Sequence, residues 1–329
     1  MATSFSCTSR TQGPSTAAVR SGGPPARPGP TPGTSAGRDG LGALLARPAR
    51  AVVAVDFDGT LAPIVPDPAQ ARAHPGAAPA LARLAPRLAA VVVVTGRPAE
   101  LAVRYAGLAD DPARPNPDVP HLVVLGAYGA ERWDAASGEV RLPDPHPGVE
   151  AVRDVLPGLI EDVLPAGDTG VHVEDKGRAL AVHTRRAADP AAAFEGLREP
   201  LEALAARHGL VVEPGRLVLE LRPPGMDKGV ALREFVRETG ASTVLYAGDD
   251  LGDLAAYAYV DSLRAEGGHG VLVCSGSDEV TELAERADLV VDGPSGVVEL
   301  LDGLAGALAA GTGTGAATAT GAAGPEAGA

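Results

Sequence analysis

Six short runs of small and β-branched apolar residues punctuate the chain, at 51–55 (AVVAV), 89–94 (AAVVVV), 122–125 (LVVL), 243–246 (TVLY), 271–273 (VLV) and 289–291 (LVV). They are continuous rather than alternating, as strands covered on both faces tend to be. Helix-patterned segments such as 77–90 and 228–239 lie between them. Strand-helix alternation of this kind specifies a parallel, doubly wound α/β sheet. Such sheets bind ligands beyond the carboxyl ends of their strands. Four polar runs fall at those ends: Asp56-Phe-Asp58-Gly-Thr60, Thr95-Gly96-Arg97, Lys228, and Asp249-Asp250 with Asp253.

Between Pro147 and Pro224 the pattern changes. Val149, Val152, Leu156, Leu159 and Val163 have helical spacing, although Pro157 is expected to kink or interrupt the helix. Strand-like pieces at 171–174 and 178–185 meet at the turn-forming Asp175-Lys176-Gly177. Asp189 offers an N-cap with Pro190 behind it, and Phe194, Leu197, Leu201 and Leu204 mark one helix face until Gly209. A further strand pair, 210–213 and 216–222, divides at Pro214-Gly215. The order helix-strand-strand-helix-strand-strand reads as a small α/β domain, 148–222, inserted into a larger one formed by 41–147 and 223–307.

Composition bounds the partners. The net charge of −14 argues against nucleic acid, which calls for a basic footprint. No apolar run reaches the roughly 18 residues of a spanning helix, so the expectation is a soluble protein without a membrane partner. Cys7 and Cys274 are the only cysteines, which excludes a disulfide framework or a four-thiolate zinc site. A reducing compartment, the cytoplasm, follows as the simplest expectation. Residues 1–40 are rich in Pro, Gly, Ser and Thr, with Arg10, Arg20, Arg27 and Arg38 and no acid before Asp39. An organelle transit peptide also fits an acid-free, Arg-bearing leader, but the Pro and Gly density favours a disordered tail. The Gly-, Ala- and Thr-rich stretch 308–329 is expected to be a second one.

The polar runs carry the chemistry. An aspartate held at a strand end accepts a phosphoryl group when it lies in line with phosphorus and the phosphate charge is neutralised. Asp56 is placed for that role, and Asp58, two residues on, for protonating the leaving oxygen and later deprotonating water. Two solvated acids at a turn are the alternative. An EF-hand is excluded, because its loop needs Gly sixth and a bidentate Glu twelfth, whereas Gly59 is fourth from Asp56. Asp249, Asp250 and Asp253 crowd negative charge that a hard cation such as Mg²⁺ relieves. They could equally cap a helix N-terminus. Thr95 can donate its hydroxyl to a phosphoryl oxygen beside backbone N–H groups, although TGR by itself is an ordinary strand-to-helix turn. Lys228 opens a helix, where the dipole disfavours a cation unless a phosphate or an aspartate faces it. A solvated surface lysine is the alternative. The seven histidines show no mutual metal-ligand spacing, and Cys274 reads as a small buried hydrophobe.

In combination, Asp56-x-Asp58-Gly-Thr60, Thr95, Lys228 and Gly248-Asp249-Asp250-x-x-Asp253 resemble the four motifs of the haloacid dehalogenase superfamily of phosphatases. More narrowly, the chain resembles the trehalose-6-phosphate phosphatases. That resemblance rests also on Leu-Gly-Ala-Tyr-Gly-Ala-Glu at 125–131, Glu-Asp-Lys-Gly at 174–177 and Pro-Gly-Arg-Leu-Val-Leu-Glu-Leu-Arg-Pro at 214–223. It implies a Rossmann-like core with 148–222 as its cap, and a monomer. It also implies Mg²⁺-dependent hydrolysis of trehalose 6-phosphate through a phosphoaspartyl intermediate on Asp56, with Asp58 as acid/base. The cation would be held by the Asp56 carboxylate, the Asp58 carbonyl and Asp249, with Asp250 or Asp253 supporting. Thr95 and Lys228 would clamp the phosphoryl group, and Thr60, Gly96 and Arg97 would contact the substrate. Glu174, Lys176 and Glu220 resemble the family's sugar-binding residues, against the alternative of a charged turn and a solvent-facing strand. Another sugar phosphate, such as sucrose phosphate or a mannosyl phosphoglycerate, fits the same catalytic motifs. A catalytically silent sugar-phosphate-binding module would keep the fold, but it would not require the full set of nucleophile, metal aspartate and clamp lysine.

Overall fold

The computed structural model describes residues 31–142, 144, 146–164, 170–276 and 281–313. In chain order its strands are β1 (Ala51–Val55), β2 (Ala90–Val94), β3 (Leu122–Gly126), β4 (Glu131–Asp134), β5 (Glu139–Arg141), β6 (His172–Asp175), β7 (Leu180–His183), β8 (Val211–Gly215), β9 (Val218–Arg222), β10 (Thr243–Gly248), β11 (His269–Gly276) and β12 (Leu289–Asp292). They form two sheets. The larger has the order β12-β11-β10-β1-β2-β3-β4-β5, and the smaller the order β6-β7-β9-β8.

All six apolar runs lie in the larger sheet, where β12 through β3 are parallel neighbours. Every residue of β1, β2 and β3 is buried, as expected for strands covered on both faces. Odd and even positions feed separate cores. Val53, Val55, Val91 and Val93 pack with Leu81, Leu84 and Leu301, while Val52, Ala54, Val92 and Val94 pack with Leu232, Phe235, Tyr257 and Val260. A buried valine contributes roughly 1.5–3 kcal/mol relative to an exposed one, so this double coverage fixes the sheet. The antiparallel hairpin β4-β5 extends the β3 edge and had no distinct signal in the apolar pattern.

The smaller sheet is antiparallel. Two helices, Pro147–Val163 and Pro190–Arg207, supply Val152, Leu156, Leu197 and Leu201 to a third core beneath it. The second begins as its sequence predicts, with Asp189 accepting from Ala192 N at 3.0 Å. Two expectations are corrected here. The helix through Pro157 is unbroken, because Val149, Val152 and Leu156 bury its first half whatever one lost backbone bond costs. Pro214-Gly215 belongs to β8 rather than dividing the pair, and Leu217, at φ 56°, lies in the turn instead. Proline is tolerated there because β8 is an edge strand.

The tail boundaries are corrected as well. Residues 35–40 open a helix, Ser35–Ala46, that Thr34 caps by accepting from Gly37 N at 3.0 Å. Gly37 and Gly40 serve close packing, since a Cβ on Gly40 would sit 1.9 Å from the Gly270 carbonyl oxygen. Asp288 receives the Thr34 hydroxyl, and its carbonyl accepts from Gly33 N at 2.7 Å. At the other end the helix Gly293–Gly313 runs beyond 307 and buries Leu308. The rest of the expected tails, 1–30 with Cys7 and 314–329, lies outside the described residues.

Candidate active site

The carboxyl ends of β1, β2 and β10 deliver the polar runs to one edge. Asp56 continues β1, its N–H bonded to Ala247 O of β10 at 2.9 Å, and the residue is 3 % exposed. The chain then turns at Gly59, whose φ of 74° suits glycine. A Cβ there would lie 1.9 Å from Asp249 Oδ2, so the residue also lets Asp249 approach. Ser275 at the end of β11 fixes the turn by donating to Gly59 O at 2.7 Å.

Lys228 is buried among these acids. Its Nζ lies 3.0 Å from Asp56 Oδ1, 2.8 Å from Asp253 Oδ1 and 4.0 Å from Asp250 Oδ1. It opens the helix Lys228–Thr239, which Asp227 caps through Val230 N. Burial pulls the ammonium down, yet Asp253 and Asp56 together hold it well above its ordinary value. This resolves the expected conflict between a cation and a helix N-terminus.

The three acids of the last run have different tasks. Asp253 is fully buried, and its Oδ1 accepts from Lys228 and, at 2.6 Å, from Tyr246. Its Oδ2 accepts from Asp249 N at 2.9 Å and Asp250 N at 3.1 Å. A carboxylate offers about four acceptor sites, so Asp253 has none left for a cation. Asp250 accepts from Gly252 N at 2.9 Å and completes a capping box with Asp253. The helix-capping reading thus holds for Asp250 and Asp253, while Asp249 faces Asp56. One carboxylate oxygen from each of Asp56, Asp249 and Asp253 lies within 4.8 Å of the other two. Burial pushes the Asp56 carboxyl well up against the opposing pull of Lys228. Burial, then Asp253 and Asp250, push that of Asp249 up to about 8. Thr60 donates to Asp249 Oδ1 at 3.4 Å, a long bond that leaves most of its acceptor capacity free. All the donors are hard oxygens crowded by like charge, which fits a hard divalent cation between Asp56 and Asp249.

Asp58 is half-buried and clamped from the side. Arg97 Nε and Nη2 each donate to one of its oxygens at 2.7 Å, a bidentate pair. Burial opposes the Arg97 charge, but the hydrogen bond and the charge of Asp58 raise its pKa overall. Thr95 is buried, and its Oγ1 accepts from Arg97 N at 3.2 Å. The structure therefore places Arg97 on Asp58, whereas the sequence reading placed it on the substrate.

The smaller sheet adds a second polar group. Lys176, in the turn after β6, bonds Glu220 Oε2 on β9, and the phenol of Tyr128 donates to the same oxygen at 3.3 Å. Burial lowers and Glu220 raises the Lys176 pKa, with a net upward shift. Glu174 bonds His183 Nε2 at 2.9 Å, which lowers its pKa, and the charge of Lys176 pulls the same way. Sequence reasoning assigned no site role to Tyr128, Tyr246, Ser275 or His183. Tyr246 looks like one more buried strand residue, and the pairing of His183 with Glu174 appears only once β6 and β7 are registered.

The family model for trehalose-phosphatase matches residues 54–292. The chain belongs to the trehalose-phosphatase family. Its relatives include the trehalose-phosphate phosphatase of Mycobacterium avium, 35 % identical over 270 residues that make up 78 % of this chain. That of Mycobacterium tuberculosis is 31 % identical over 261 residues. The chain spans 63 % and 60 % of the lengths of these two relatives. Among solved structures, the C-terminal domain of the Candida albicans trehalose-6-phosphate phosphatase aligns with a TM-score of 0.66 at 22 % identity, covering 84 % of this chain and 99 % of that one. That likeness shows the shared fold. In this trehalose-phosphatase family member the matched range takes in all four polar runs at the edge just described, and no helix among the described residues is long and apolar enough to cross a membrane.

Proposed function

We propose that the chain is a phosphatase that hydrolyses trehalose 6-phosphate to trehalose and phosphate. The observation that carries this reading is the buried Asp56 carboxylate, 3.0 Å from Lys228, at the strand end beside Asp249. A carboxylate so placed attacks phosphorus and takes the phosphoryl group, forming the acyl phosphate as the sugar oxygen leaves. Asp58 gives that oxygen its proton and then takes one from the water that hydrolyses the intermediate. Its two oxygens both accept from Arg97 here, the arrangement of a base, so acting as acid requires that pair to open first. Lys228, Thr95 and the N–H groups near Gly96 and Arg97 hold the phosphoryl oxygens. Mg²⁺ is the cation this reading assigns, held by Asp56 and Asp249 and, by family resemblance, the Asp58 carbonyl. When bound it neutralises phosphate charge and lifts the penalty on ionised Asp56.

Lys176, Glu220 and Glu174 on the smaller sheet act in this reading as the cap that takes the sugar, since carboxylates and an ammonium orient hydroxyls. The relatives' names support trehalose 6-phosphate. The same reading has a cytoplasmic monomer acting on a small molecule, away from nucleic acid, whose phosphates a net charge of −14 repels. The test is phosphate release across sugar phosphates, including trehalose 6-phosphate, sucrose phosphate and a mannosyl phosphoglycerate, with Mg²⁺ and with EDTA. Preference for trehalose 6-phosphate and loss in EDTA are expected. Equal rates across the panel would overturn the substrate, and full activity in EDTA the cation.

A further inference from the structure

Tyr128 occupies a backbone conformation that tyrosine rarely adopts, φ 56° and ψ 36°, directly after Ala127 at φ 46°. Two successive left-handed residues without glycine cost free energy that something must offset. The neighbouring loop holds both in place, because Tyr128 N donates to Thr95 O at 2.9 Å and Ala127 N to Arg97 O at 2.8 Å. The turn bearing Tyr128 is thus stapled to the turn that bears the phosphoryl clamp. Its ring lies across Gly96, where a Cβ would come 2.7 Å from the phenol oxygen. On its other side the Arg222 guanidinium stacks 4.2 Å from the ring centroid. The hydroxyl then reaches Glu220 Oε2 at 3.3 Å. Burial and Glu220 push the phenol up to about 12, so it stays a donor.

Glu220 itself is 5 % exposed, and its Oε1 is buried without a hydrogen-bond partner among the described residues. A buried carboxylate oxygen left unpaired is costly, and a ligand hydroxyl relieves it. Lys176 and Tyr128 both hold Oε2, which fixes the carboxylate. Of these two, only Tyr128 is also anchored to the phosphoryl clamp.

We propose that Tyr128 is a substrate-positioning residue that sets the distance between the sugar-reading carboxylate Glu220 and the phosphoryl clamp at Thr95–Arg97. It acts through Glu220, selecting sugar phosphates whose hydroxyl meets Oε1 while the phosphate sits on the clamp. This rests on the reading of the chain as a sugar-phosphate phosphatase. The test is a double-mutant cycle of Tyr128→Phe and Glu220→Gln, both volume-conserving, with KM and kcat measured on trehalose 6-phosphate and on p-nitrophenyl phosphate. Thermal unfolding compares the folded states.

Tyr128→Phe is expected to lower the ratio of kcat/KM for the sugar phosphate over the aryl phosphate about tenfold, as loss of a hydrogen bond to a charged group does, chiefly through KM. The double variant should then fall no further than Glu220→Gln alone, because residues acting through one contact are not additive. A ratio within twofold of wild type, an equal loss on both substrates, or additive losses would overturn the inference. Wild-type protein that turns over the aryl phosphate but no sugar phosphate would instead overturn the reading beneath it.

Discussion

Asp253→Asn separates a scaffold from a metal ligand. The side chain accepts four hydrogen bonds, from Lys228, Tyr246 and two backbone N–H groups. Asparagine replaces one oxygen by an amide nitrogen, which cannot accept, so two donors lose their partner. It also removes a buried charge that lies 2.8 Å from Lys228. Two bonds to a charged group at about 1.5–3 kcal/mol each give about 3–6 kcal/mol. Breaking a buried ion pair from one side gives a similar figure, about 3–5 kcal/mol. Against a total stability of about 5–15 kcal/mol the variant still folds, but with much less reserve. With a urea slope of about 2–3 kcal/mol/M, the midpoint in EDTA should fall by roughly 1–3 M. Calorimetric titration with Mg²⁺ should meanwhile show a smaller loss of affinity than Asp249→Asn causes, since Asp249 has acceptor capacity free. Unchanged stability together with abolished cation binding would refute the reasoning and make Asp253 a ligand.

Asp56→Asn should remove turnover while the protein still folds, because the nucleophile is lost but the strand end keeps its shape; a wild-type rate of phosphate release would sink the mechanism. Glu220→Ala should weaken trehalose 6-phosphate hydrolysis at least tenfold more than aryl phosphate hydrolysis, and equal losses would mean that the cap does not read the sugar. Gly59→Ala should reduce both activity and stability, by about 1–3 kcal/mol for a strained left-handed residue alone, since its Cβ would also displace Asp249; urea unfolding checks it. Glu174 has a folded pKa lowered first by its bond to His183. The stability this contributes is present above the unfolded carboxylate value of about 4.3 and is lost as pH falls through the folded one. His183→Gln should therefore flatten the acid limb of a stability-against-pH curve below about pH 5, and an unaltered limb would show that the pair is idle.

The parallel strands were legible because burial on both faces leaves uninterrupted apolar runs, and the site because parallel strands end at one edge. What escaped had a common cause, that one residue type served two purposes. Gly37 and Gly40 look like linker composition, yet their small size lets a helix pack closely against β11 and Asp288. Asp250 and Asp253 look like cation ligands, yet both also cap the next helix, and Lys228, Tyr246 and two backbone N–H groups already engage Asp253. Arg97 sits in an ordinary strand-to-helix turn, and only the folded chain shows that Asp58, 39 positions earlier, receives it. Tyr128 was legible only as part of the 125–131 run that carries the resemblance, because its importance lies in a backbone angle.

β1 lies between β2, which follows it closely in sequence, and β10, which begins only at Thr243. The strand that presents Asp56 therefore has one neighbour early in synthesis and must wait for the other until the whole smaller sheet has emerged. That sheet and its two helices are contiguous, between Pro147 and Arg222, and their pairings are local, so loop-closure entropy favours their forming first. The exposed side of β1 meanwhile offers a bare, wholly apolar ladder to any passing chain. The acids and the lysine that complete the site arrive on the very segments that cover this ladder. Catalytic competence and protection from misassociation are consequently acquired in the same late step of folding.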